Sequence, residues 1–169
     1  MENHARATQP PPSFSFREGR MADHARCAEL WMNALALRDS TPRDPQVKQR
    51  ALAKLTVPGG ILAVAESDSM VHGFALATDR TPPNGVATAH LTLLAVDPTI
   101  QARGLGRALL ADTTRSLEMA GFVEATLSVL EENVAARKIY EDAGWQVTGK
   151  GVFEDSGRPC VHYLLSLRH

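Results

Sequence analysis

Cysteine is scarce in this sequence: Cys27 and Cys160 are the two in 169 residues, far apart and outside any C-x-x-C pattern. That excludes a disulfide framework and gives no zinc-ligand spacing, so a reducing cytoplasm is the default expectation. An excess of charge of one sign is also lacking. With 18 basic against 19 acidic residues the chain carries no electrostatic footprint of a nucleic-acid binder. Long apolar runs are missing as well. No stretch approaches the roughly 18 residues of a membrane-spanning helix, and the opening "MENHARATQPPPS" has no signal-peptide core, so no membrane partner is expected. No H-E-x-x-H or deaminase-like pattern appears, and His4, His24, His72, His162 and His169 show no metal-ligand spacing, so no metal is expected.

What is present suits one domain. An apolar share of 44% over this length supplies a substantial core. Residues 1–12, polar and ending in Pro10-Pro11-Pro12, are expected to form a disordered tail before a domain at 13–169. "FSFREG" (14–19) reads as a short strand. A helix follows with a stripe of Cys27, Leu30, Trp31, Ala34 and Leu37, and "QVKQRALAKL" as a second helix stopped by Pro58-Gly59-Gly60. Strands are expected at 61–66, 71–78 and 86–96, the first two forming a hairpin. A helix over about 103–120, a strand at 122–130, a helix at 133–145 and strands near 145–153 and 159–168 complete the chain. The unit from 86 to 130 needs a crossover and so parallel strands, whereas the hairpins are antiparallel. The fold class is α/β, with a mixed, mostly antiparallel central sheet of about six to seven strands.

"DPTIQARGLGRALL" (97–110) sets two glycines just ahead of a helix. A helix N-terminus leaves unpaired N–H groups and partial positive charge, and glycine lets a phosphate come close to the backbone. The same glycines could instead serve tight packing of the helix on the sheet. A Walker A run is absent, and a dinucleotide fingerprint fails because Leu109 stands where its third small residue belongs and "TLSVL" brings no acidic residue.

"LAVDPTIQARGLGRALL" resembles the acetyl-coenzyme A signature of the GNAT superfamily of N-acetyltransferases, with Gln101, Gly104 and Gly106 at its defining positions. "LSVLEENVAARKIYEDAGW" resembles the same family's strand, N-x-x-A-x-x-x-Y helix and aromatic-led strand. The resemblance implies helices on both faces of the sheet, with the fourth and fifth strands parallel and splayed to admit acetyl-CoA. It implies that backbone groups of Leu94, Ala95 and Val96 bind the cofactor arm. Amides of Gln101, Ala102, Arg103, Gly104, Leu105, Gly106 and Arg107 would hold the pyrophosphate, with Asn133 and Ala136 beside the arm. Tyr140 is then the general acid. It stands seven residues after Asn133, about two turns, so both can meet one ligand; without the resemblance, Tyr140 reads as core packing, on one stripe with Ala136, Ile139 and Ala143.

The base is open. His90, on a face with Thr88 and Thr92 by strand alternation, is the candidate, an imidazole titrating near pH 6.5. Glu66, Glu131 and Glu132 are rivals. The implied reaction moves acetyl from acetyl-CoA to a primary amine of a small molecule or peptide by direct attack in a ternary complex; the alternative is a regulatory acetyl-CoA-binding module without turnover. The acceptor pocket is expected among the first two helices, their link, the 79–85 turn and the last hairpin. Oligomeric state is not legible, though family members that pair make a homodimer one expectation.

Overall fold

The computed structural model describes residues 13–100 and 104–167. The expected tail, residues 1–12, and three residues of the expected phosphate loop, 101–103, lie outside them.

Strand β1 (Ser15–Glu18) and a single 3-10 turn lead into helices α1 (His24–Asp39) and α2 (Pro45–Thr56). Then come β2 (Ile61–Ser67), β3 (Met70–Asp79), β4 (Thr88–Val96), α3 (Leu105–Met119), β5 (Glu124–Leu130), α4 (Val134–Asp142), β6 (Gln146–Val152) and β7 (Pro159–Ser166). One seven-stranded sheet runs β1-β2-β3-β4-β5-β7-β6. Every neighbouring pair is antiparallel except β4 and β5.

Local chemistry explains the boundaries. Asp44 caps α2 by accepting from Gln46 N at 2.9 Å, ahead of Pro45 at a position where its missing N–H costs nothing. Asn133 caps α4 through Ala136 N at 3.2 Å. Gly121 (φ +92°) and Gly144 (φ +95°) turn the chain out of α3 and α4 in the left-handed region that suits glycine.

Two cores flank the sheet. On one face α3 and α4 cover Ala63, Ala75, Ala77, Leu91, Ala125, Leu127, Val161 and Tyr163 with Leu105, Leu109, Leu117 and Tyr140. The small alanines of β2 and β3 let α3 sit close. On the other face α1 and α2 bury Cys27, Leu30, Ala51 and Leu55 against Leu62, Val64, Phe74, Leu76, Leu93 and Ala95. This second core takes in β2 to β4 and no residue of β5 to β7, so the opposite half of that face is not roofed by α1 or α2. The α1 stripe is shorter than its spacing predicts: Leu37 is 66% exposed.

Strict alternation along β4 also fails. Leu76 pairs with Leu93 but Ala77 with Leu91, leaving Thr92 as an extra residue, a bulge. Ala89 and Leu91 therefore face α3, while Leu93 and Ala95 face α1. Leu93 does not share a face with Leu91 as the period of two predicts.

Candidate active site

The bulge bears directly on the site. Strands β4 and β5 pair only at Thr88↔Glu124, Ala89↔Ala125 and His90↔Thr126. Beyond that, β4 stays with β3 to Val96 and β5 stays with β7 to Leu130, so the sheet opens as a fork. The bulge at Thr92 falls two residues past the last shared pair. Asp97 N–H donates to His72 O at 2.7 Å, on the β3 side. Alternation then turns the main-chain groups of Val96 and Leu94 into the fork and those of Ala95 toward its partner Phe74. Of the three residues expected to offer backbone groups, Leu94 and Val96 turn theirs into the fork and Ala95 turns its own toward β3.

The exit of β4 is pinned. Asp97 accepts from Arg26 at 3.1 Å and from Thr99 N and Oγ1 at 2.9 and 2.7 Å. After residues 101–103, Gly104 is the N-cap of α3 with φ +87°, a left-handed torsion that a side chain resists. Among the described residues a Cβ on Gly104 would meet nothing within 4 Å, and one on Gly106 only Ile139 Cδ1 at 3.9 Å. Close helix packing therefore does not require these glycines, and open space adjoins them. Leu105 is buried in the core. The Arg107 side chain is engaged elsewhere, in an ion pair with Asp142 of α4 at 2.8 Å.

Tyr140 lies in α4 on the α3 face. Its ring centroid is 6.0 Å from Trp145 and 6.2 Å from Tyr163, the latter held by Arg137 (3.0 Å) and by its own donation to Glu141 (2.8 Å). Burial pushes the Tyr140 phenol up to about 12. Its hydroxyl has no protein partner among the described residues, yet it is not among the polar atoms sealed from solvent. Such a phenol keeps its proton at neutral pH, the protonation state a general acid needs before transfer. Asn133 uses Oδ1 to cap the helix, and Ala136, half-buried, packs toward the α3–α4 core.

His90 and Thr126 close the fork, with Nδ1 and Oγ1 2.8 Å apart. Burial is the main cause, with Arg80, His162 and Lys54 adding positive potential, that lowers this imidazole to about 4. Two residues on, Ser128 Oγ lies 2.7 Å from Nδ1 of His162, its register partner in β7. By register all four side chains point to the face opposite α3 and α4, His90 on β4 and the other three on β5 and β7. The rival carboxylates are occupied: Glu66 by Arg17, Glu131 by Lys150 at 2.7 Å, and Glu132 by Arg158. Arg158 also grips Asp39 at 3.1 and 3.2 Å, beside an open cavity of about 730 Å³ lined by Arg38, Thr41, Leu130 and Asn133. Two parts of the expected acceptor wall, the α1–α2 link and the last hairpin, meet there.

Over residues 36–167 the sequence matches the acetyltransferase (GNAT) domain family. The chain belongs to the GNAT family of acetyltransferases. It is 28% identical to the peptidyl-lysine N-acetyltransferase YjaB of Escherichia coli K12, over 92% of this chain and 97% of that protein. Its fold is similar to the ribosomal-protein-S18-alanine N-acetyltransferase of Escherichia coli (TM-score 0.73, 21% identity, 93% of this chain and 96% of that one). It is also similar to a GNAT-family acetyltransferase from Elizabethkingia anophelis with acetyl-CoA bound (TM-score 0.71, 16% identity, 91% and 98%).

As a GNAT acetyltransferase the chain takes acetyl-CoA as its acetyl donor, and its residues fit that substrate. Leu94 and Val96 turn main-chain groups into the fork where no strand meets them, and backbone donors left this way need a partner. The open space beside Gly104 and Gly106 adjoins a helix N-terminus that favours an anion. Sequence spacing had not singled out Thr126, Ser128 or His162. The available signal was the alternate T-x-S of "EATLSVL", which becomes meaningful only once β7 is known to lie beside β5.

Proposed function

We propose that this GNAT acetyltransferase acetylates a primary amine by direct attack on acetyl-CoA held in the fork, with Tyr140 protonating the departing thiolate. The observation carrying this reading is the Tyr140 hydroxyl: buried aromatic neighbours fix the ring, burial keeps the proton on, and no group among the described residues competes for it. Main-chain groups of Leu94 and Val96 orient the arm and thioester. Amides from Gln101 to Arg107, with Gly104 as the turn, receive the pyrophosphate, and Asn133 and Ala136 border the arm.

His90 is assigned the first contact with the acceptor's ammonium proton. It is neutral at pH 7, so a lone pair is available, and Thr126 holds its Nδ1. Its low basicity means that the proton has to move on. A peptide or protein amine is the favoured acceptor, supported by a full-length relative named for peptidyl-lysine. A reducing compartment such as the cytoplasm suits Cys27 and Cys160, both buried free thiols. Among the described residues no helix is long and apolar enough to cross a membrane.

The test is release of free thiol from acetyl-CoA in the presence of lysine peptides, peptides with free N-termini and small amines. Amine-dependent release supports the proposal; acetyl-CoA binding without release from any of them sinks it.

A further inference from the structure

The open cavity of about 730 Å³ carries charge that the reaction described above does not use. It reaches Leu130, the end of the β5 arm of the fork, and Asn133 at the head of α4. A group seated there therefore lies beside the fork mouth. Four charged side chains line the cavity: Arg38, Asp39, Glu132 and Arg158. They come from the end of α1, the β5–α4 turn and the hairpin between β6 and β7, and meet only in the fold.

The two carboxylates are not held alike. Asp39 sits between two guanidinium groups: Arg38 gives Nε and Nη2 to its oxygens at 3.0 Å each, and Arg158 gives Nη1 and Nη2 to them at 3.1 and 3.2 Å. Four charge-assisted bonds fill both oxygens, so Asp39 has no lone pair left for an acceptor's ammonium. Glu132 is held by Arg158 alone among the described residues, and its side chain is 69% exposed against 25% for Asp39. An ion pair that open to water is weak. Arg158 is fixed from behind, because Phe153 N–H donates to Arg158 O at 3.0 Å and closes the hairpin. With Glu132 displaced, two guanidinium groups face one carboxylate beside the positive end of α4, whose first residues Val134 and Ala135 line the same cavity. One positive charge is then left uncompensated.

We propose that Arg158 selects acceptors that carry a carboxylate next to the reactive amine, with Glu132 holding that position until the acceptor arrives. The inference rests on the amine acetylation proposed above and names the class of amine. The incoming carboxylate takes the Arg158 donor that Glu132 leaves, and the grip on Asp39 is undisturbed. A cationic neighbour would instead face two arginines, and a neutral one would leave Arg158 to Glu132. In a peptide an acidic residue beside the target lysine supplies the carboxylate; in a free amino acid the α-carboxylate does.

The experiment is kcat/KM of the full chain for lysine peptides identical except for the neighbouring residue, Glu, Gln or Lys, together with free lysine and lysinamide. Wild type should prefer the Glu peptide to the Gln peptide about fivefold to tenfold, the scale of a partly exposed charge-assisted hydrogen bond, and use the Lys peptide least. Added salt should shrink the preference. Arg158→Gln should erase it. Glu132→Gln should enlarge it, because the competing carboxylate is gone. A general loss of structure would lower the rate on every peptide alike and could not produce these opposite shifts. A preference for free lysine over lysinamide with no preference among the peptides supports the proposal with a free amino acid as the source of the carboxylate. Equal rates within both comparisons in the wild type, or the wild-type ratios retained in Arg158→Gln, would overturn the proposal and leave the acetylation reading intact. A wild type that acetylates none of these amines would overturn that reading, and this inference with it.

Discussion

His90 and Thr126 are the last residues of β4 and β5 to pair, and their side chains are joined, Nδ1 to Oγ1, at 2.8 Å. The contact marks where the pairing of β4 with β5 ends and the fork begins. It also ties an ionisable group to the stability of the fork.

That tie predicts a pH effect on folding. In the unfolded chain His90 titrates near 6.5, and in the fold near 4. Between those values the unfolded state binds more protons, so stability rises with pH; the contribution is complete above about 6.5 and lost by about 4. Urea unfolding midpoints from pH 7 to pH 4 should fall less steeply in His90→Asn than in wild type. Parallel curves would remove His90 as a source of the acid sensitivity.

Tyr140→Phe removes one hydroxyl from a ring otherwise held by Trp145 and Tyr163. We expect kcat to drop by about a hundredfold or more, with acetyl-CoA affinity unchanged within about twofold. Steady-state kinetics beside calorimetric titration of acetyl-CoA will separate the two effects, and an unaltered kcat rejects the acid role.

Gly106→Ala separates packing from ligand approach. The added methyl meets only Ile139 at 3.9 Å, and alanine favours the helix by roughly 0.5–1 kcal/mol, so thermal stability should hold or increase. Acetyl-CoA affinity should nevertheless fall severalfold. Gly104→Ala, at φ +87°, should instead cost about 1–2 kcal/mol through backbone strain. If Gly106→Ala binds acetyl-CoA as tightly as wild type, the glycine does not serve the phosphate.

Arg158 joins the last hairpin to α1 through Asp39 and to the β5–α4 turn through Glu132. These pairs are partly exposed, so Arg158→Ala should lower stability by less than about 1 kcal/mol. Because the same groups line the cavity by Asn133, the acceptor KM should rise while that for acetyl-CoA does not. Equal change in both constants would argue for a general disturbance of α4 instead.

Much of this protein was legible before any coordinates. Helix and strand order follow from the switch between helical spacing and short apolar runs, because each period commits one face to a core. The Gly104 junction and the capping role of Asn133 are local backbone chemistry, decided within a few residues. The acid role expected of Tyr140 came from the family resemblance, since its spacing alone reads as core packing.

Three things needed the fold. The Thr92 bulge, invisible as composition, reverses the facing of Leu93 and Ala95 just past the point where β4 and β5 stop pairing. Long-range ion pairs then remove Glu66, Glu131 and Glu132 from the free carboxylates, each through a partner distant in the chain or on another element. Finally, Ser128 and His162 stand 34 positions apart and meet only because β7 inserts between β5 and β6. By itself the sequence determined the elements and the glycine junction at the start of α3, since propensity, capping and periodicity act locally. Which side chains share the open face was decided by strand order and register, which are set by the packing of the whole sheet.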